Sequence, residues 1–141
     1  MTHGISQDDQ RFRERFETFA IPAGRFDHRS HIRLAYIHLC DSDPNTAHLD
    51  IRRSLHAYLD HHGADPAKYS ETITRAWVLA VHHFMAHSPD TESATEFIEA
   101  NPALLDSKIM LKHYSSERLF SDLARVSFVE PDLQPIPRHG G

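Results

Sequence analysis

The chain has 141 residues, 40% of them apolar and 25% charged, and a net charge of -5 when its histidines are neutral. That is one domain (1–141) with enough chain for a real core, and neither a disordered nor a fibrous protein. Without a Lys/Arg block a nucleic-acid partner is not expected, and with Cys40 as the only cysteine an internal disulfide and a Cys-rich zinc site are excluded.

Met1 is followed by polar residues rather than by the charged and apolar regions of a signal peptide. The longest apolar run, "AWVLAV", is far short of the ~20 residues that span a bilayer. A soluble, cytoplasmic protein with no membrane partner is therefore expected, with flexible ends at 1–5 and 138–141. The histidine content is unusual: 13 residues, spread from His3 to His139. Imidazole titrates near neutrality and ligates metals, so this content suits metal binding or acid–base work, and equally compositional drift.

In chain order, Ser6 opens "SQDDQRFRERFETFAIP", where Phe12, Phe16 and Phe19 recur at helical spacing and Ile21-Pro22 and Gly24 end the helix. A second helix is predicted from near His28 to about Cys40. Its "IRLAYIHLC" is apolar nearly all round, which indicates burial. "DSDPN" is a turn. A third helix runs from about Thr46 to His62 with Ile51, Leu55, Tyr58 and Leu59 on one face, and Gly63 suits the position just past its end. After "ADPAK", a fourth helix from about Tyr69 to His87 is so apolar that it should be central. "TESATEFIEA" is a fifth, capped by Asp90 or Thr91. "ALLDSKIMLKHYS" reads as partly helical, and "SERLFSDLARVSF" as one or two short helices with Ser115 or Ser116 as a cap. The tail "VEPDLQPIPRHGG" should be extended and packed by Leu133 and Ile136. The fold class is all-α: a small bundle, orthogonal or up-down, with short C-terminal helices and an extended, proline-containing tail.

Short turns make successive helices antiparallel. On that rule His28, His31, His61, His62, Tyr69, Glu71 and Arg75 share one end of the bundle, and His38, His48, His82 and His83 the other. His28 and His31 are three apart and share a helix face. His62 continues the Ile51, Leu55, Tyr58 stripe, whereas His61 lies about 100° away from it. Glu71 and Arg75, on a helix buried on two stripes, are candidates for buried charge, which must be paired or ligated.

Two imidazoles and a carboxylate form the ligand set of many iron(II) sites, and catalytic zinc uses three such ligands plus water. His28, His31 and Glu71, with His62 in reserve, would hold a divalent transition metal: iron, manganese, zinc or copper. Arg75 would bind an anionic group or orient Glu71. Tyr69, or Lys112, His113 and Tyr114 from the acid–base kit "LKHYS", would supply polar contacts. Each has a plainer reading. His28 can cap its helix with Asp27, and His31 can be a satisfied core residue. His61 and His62 suit a helix C-terminus. Glu71 can pair with Arg75, and "LKHYS" can be a solvated turn. Cys40 reads as a small core residue.

"FDHRSHIRLAYIHL", "KYSETITRAW" and "NPALLDSKIMLKHYSSERLFSDLARVSFVEPDLQPIP" together resemble a family of small, uncharacterised bacterial helical proteins, over most of the chain from Phe26 onward. The resemblance implies no activity. Versions of that family carry a histidine directly before the glutamate of the second stretch, where this chain has Ser70. That departure weakens a metal site here, or moves a ligand role to His61 or His62.

The leading expectation is a metal-dependent enzyme acting on a small-molecule substrate, oxidative or hydrolytic/lyase-type, with a homodimer as an open option. A metal-free small-molecule binding or pH-sensing module would use the same pocket without the ion. An interaction or scaffold protein would scatter its histidines and could dock through "PDLQPIP".

Overall fold

The computed structural model describes residues 2–138. It is all-helical, with α1 (Gln7–Glu17), α2 (His28–Asp41), α3 (Pro44–His61), α4 (Glu71–Ala86), α5 (Ala94–Ala100), α6 (Ser116–Leu119) and α7 (Asp122–Val126). Short 3-10 segments occupy Ala23–Arg25, Pro66–Lys68, Pro102–Leu105 and Ser107–Lys112. No strand forms among the described residues, and His3 and Thr91 make an isolated parallel bridge. None of the described helices is long and apolar enough to cross a membrane.

Every α-helix starts on a polar side chain that accepts from an otherwise unpaired backbone N–H: Ser6, Asp27, Asp43, Ser70, Ser93, Ser115 and Ser121. Ser6 and Asp9 complete a reciprocal capping box. Helix α3 begins at Pro44, earlier than the pattern suggests, because a proline fits a first turn that needs no N–H there. Gly63 ends it in the left-handed region (φ 67°). Helix α5 is capped by Ser93 and not by Asp90 or Thr91. Thr91 is instead buried and bonded to Tyr36 and His3.

Helices α2, α3 and α4 pack on one another around the core. Ile32, Leu34 and Ile37 of α2 and Ala76, Val78 and Val81 of α4 are buried there, all at most 2% exposed. Near-uniform apolarity in α2 and α4 is thus the mark of burial on several sides. Helix α7 lies on α4, tied by Thr72, whose hydroxyl donates to Ser127 O and accepts from Val129 N–H. In the tail Ile136 is buried as expected, but Leu133 is 54% exposed.

Of the ends expected to be flexible, Met1 and 139–141 lie outside the described residues. Residues 2–5 are tied down instead. Thr2 O accepts from Thr91 N–H, Gly4 N–H donates to Thr91 O, and the His3 ring bonds Thr91 Oγ1 and Met85 O.

One topological expectation fails. Residues 62–70 between α3 and α4 are no tight turn. They run back beside α3, so the Tyr69 ring sits 4.2 Å from the His56 ring and Glu71 reaches His48 and Arg52. Glu71 and His48, assigned to opposite ends by the short-turn rule, are hydrogen-bonded partners. That rule holds only when the connection is too short to travel.

Candidate functional site

The residues singled out from the sequence fall into separate places. His28 packs edge-on against Trp77 (centroids 4.6 Å apart), and its Nε2–H donates to Leu104 O at 2.9 Å. Glu71 sits in a cluster of its own. It accepts from the Tyr69 hydroxyl (2.6 Å), the His48 Nε2–H (3.0 Å) and Arg52 Nη1 (3.2 Å). Burial works against the Glu71 carboxylate, but the hydrogen bonds from Tyr69 and His48 and the charge of Arg52 hold its pKa below the ordinary value. Burial and the neighbouring carboxylate push the Tyr69 hydroxyl up. Arg75 does not orient Glu71: its guanidinium lies 4.7 Å over the Phe128 ring.

Lys112, His113 and Tyr114 anchor the C-terminal tail. Lys112 O and His113 O accept from Gln134 and Leu133 N–H, and the His113 ring donates to Gln134 O. The fully buried Tyr114 hydroxyl donates to Val129 O, and burial pushes it up to about 12. Among the described residues no group of three or more His, Cys, Asp or Glu side chains is placed to hold a metal ion. His28, His31 and Glu71 are not brought together.

What the structure does bring together is a cavity of about 340 Å³ between α2, α3 and the segment leading into α4. Phe26, Tyr58 and Tyr69 give it aromatic walls, with Leu55, Leu59 and Ile73 between them. His31, His62, Lys68, Ser70 and Thr74 supply the polar surface. Phe26 and Tyr58 are mutually packed (5.3 Å), with His31 edge-on to Phe26 (4.6 Å) and His62 tilted on Tyr58 (4.5 Å). The two imidazoles therefore flank one aromatic pair.

The polar groups of this cavity are unevenly satisfied. Tyr58 donates its hydroxyl to Ile21 O and Tyr69 donates to Glu71, so both present ring faces. His62 Nε2 is buried with no hydrogen-bond partner, and His31 makes no ring hydrogen bond among the described residues. Burial, reinforced by His28 and partly offset by Asp27, lowers His31 to about 4, so its ring is neutral at ordinary pH.

Two further buried nitrogens lack partners. His48 Nδ1 lies behind the Glu71 cluster, and His38 Nε2 lies under the charged hollow of Arg13, Glu17, Asp50 and Arg53. Cys40 is half-buried with its thiol pushed up to about 11 by burial, which suits packing better than nucleophilic work.

Sequence reasoning points to His31, His62 and Tyr69 but misses Phe26 and Lys68 as cavity walls and His48 and Arg52 as partners of Glu71. The connection 62–70, containing Gly63 and Pro66, is the one signal in the sequence that α4 could start alongside α3. No family model, curated protein or solved structure matches the chain.

Proposed function

We propose that the protein binds a small, flat, largely apolar molecule in the cavity walled by Phe26, Tyr58 and Tyr69. The observation that carries this reading is the set of aromatic faces flanked by His31 and His62, the latter a lining residue whose Nε2 is buried without a partner among the described residues. Leaving a buried polar atom unpaired costs about 1–3 kcal/mol, and a ligand that bonds to it recovers that cost. The volume of about 340 Å³ lies within the ~300–1,000 Å³ usual for small-molecule sites. The aromatic faces would grip a planar body, and the imidazoles would fix its polar edge. This is the metal-free binding reading of the sequence. It uses His31 and His62 and asks nothing of His28 and Glu71, whose polar atoms are engaged elsewhere.

The test is ligand-observed NMR with a set of flat fragments (indole, benzimidazole, naphthol, benzoate) on wild type and on Ala64→Trp. Ala64 lines the cavity from the loop after α3, so a tryptophan there obstructs the cavity without cutting into the core. Dissociation constants of about 1 mM are expected for fragments of this size, with binding lost in a folded Ala64→Trp. If no fragment binds wild type better than Ala64→Trp, the reading falls.

A further inference from the structure

We infer that the ligand of this cavity is an organic acid, its carboxylate received by Lys68 at the mouth and by His31 and His62 inside. The inference rests on the binding reading above and adds the charge of the ligand. The chain as a whole is acidic, with 20 Asp and Glu against 15 Lys and Arg. The cavity has the opposite character. Its ionisable lining is His31, His62, Lys68, Tyr58 and Tyr69, and no carboxylate lines it among the described residues. Both tyrosine hydroxyls already donate elsewhere.

Lys68 is exposed on the 3-10 turn Pro66–Lys68, and none of the ion pairs among the described residues engages it. The carboxylate of Glu71, behind the Tyr69 wall, is already engaged by Arg52 and His48. The site thus offers a cation, two imidazole-bearing walls and, among the described residues, no competing anion. A carboxylate makes charge-assisted hydrogen bonds with such donors, which are roughly twice as strong as neutral ones. A neutral amide of the same shape gains only the aromatic contacts.

Matched pairs separate the two claims: benzoate against benzamide, and phenylacetate against phenylacetamide, titrated into wild type, Lys68→Met and Lys68→Arg. In wild type the acids should bind about tenfold more tightly than their amides. Lys68→Met should remove about fivefold of that preference and Lys68→Arg should keep it. Acids and amides binding equally to wild type would overturn the inference and leave the cavity reading standing. An acid preference unchanged in Lys68→Met would also overturn it. No binding by any of the four would sink both.

Discussion

Two polar groups share the Tyr69 side chain and differ in how completely they are satisfied. Through its hydroxyl Tyr69 belongs to the Glu71 cluster, where three donors from α3 and the α4 approach occupy both carboxylate oxygens. Through its ring it belongs to the cavity, where His62 Nε2 is buried and bonded to nothing. The residue types are the same, His, Tyr and a charged partner, yet one group is closed and the other open. A carboxylate with its acceptor sites filled fixes the start of α4 against α3. A buried ring nitrogen without a partner, on a residue that lines a cavity, is a group that a ligand satisfies once the ring turns toward it. His48 Nδ1, behind the Glu71 carboxylate, is unpartnered too, so it is the adjacent cavity, and not an unpaired nitrogen alone, that marks His62 as a candidate for binding.

The comparison can be pushed hardest at Asp9, a buried carboxylate with three donors of its own. Its carboxylate is 1% exposed and accepts from Ser6 N–H, Ala94 N–H and Arg33 Nε, joining α1, α2 and α5. Asp9→Ala strands the buried N–H of Ala94 and the guanidinium that also lies over Phe12. Breaking a buried pair in this way costs about 3–5 kcal/mol. For a domain of this size that lowers Tm by roughly 10 °C or more, read by calorimetry. A loss below about 1 kcal/mol would mean that closure of a cluster says little about stability.

Protonation attacks the open groups next. His31 and His38 are each lowered to about 4, chiefly by burial. In the unfolded chain both titrate near ~6.5. Between those values the unfolded state binds more protons, so stability is fully present above about pH 6.5 and is lost as pH falls toward 4. On those values each should account for about 2.5 kcal/mol, and the two together for about 5 kcal/mol at most, of the loss between about pH 7.5 and 4.5. The carboxylates held low, Asp27, Asp43, Glu71 and Asp132, act at the acid end of the same range. The informative measurement is therefore urea unfolding of His31→Gln/His38→Gln beside wild type. A double variant with an equally steep pH dependence would show that these rings titrate normally in the folded state.

Glu71 distinguishes the two faces of Tyr69. Glu71→Ala should cost about 2 kcal/mol, since it leaves His48 and Tyr69 without their acceptor. It should also weaken fragment binding, because the Tyr69 ring loses its anchor. Glu71→Gln keeps an acceptor for Tyr69 and should hold fragment affinity within about threefold while losing part of the stability. Equal fragment affinity in Ala and Gln would show that the wall stands without the cluster.

Much of this architecture is legible in the order of residues alone. The periodicity of Phe12, Phe16 and Phe19, the all-round apolarity of 32–40 and 72–81, and the caps Ser6, Asp27 and Ser115 are local signals, and local signals fix helices. The candidate site is legible in part. His62 falls on the cavity side because it continues the Leu55 and Tyr58 stripe, a property of one helix. Its relation to Glu71 depends on the path of 62–70, and no local pattern encodes the direction of a connection that long. The metal expectation draws on that path, and along the path observed His28, His31 and Glu71 stand apart. Lys112–Tyr114 resembles an acid–base kit for a related reason: donors that hold a tail and donors that serve chemistry are the same atoms, and only their partners tell them apart.

The smallest effect is the most discriminating. His62→Leu replaces a ring that packs on Tyr58 by a side chain without the orphan nitrogen. If His62 were structural, losing the ring contact would destabilise the end of α3. If its nitrogen waits for a ligand, the free protein carries an unpaired buried polar atom that the variant no longer has. Removing such an atom while keeping apolar volume is neutral to stabilising, here by up to about 1 kcal/mol. The variant should then unfold at slightly higher denaturant while its fragment affinity falls at least about threefold. A gain in stability coupled to a loss of binding is the signature of a group held open for function. A loss of both would place His62 with Asp9 and Glu71, among the groups that hold the fold.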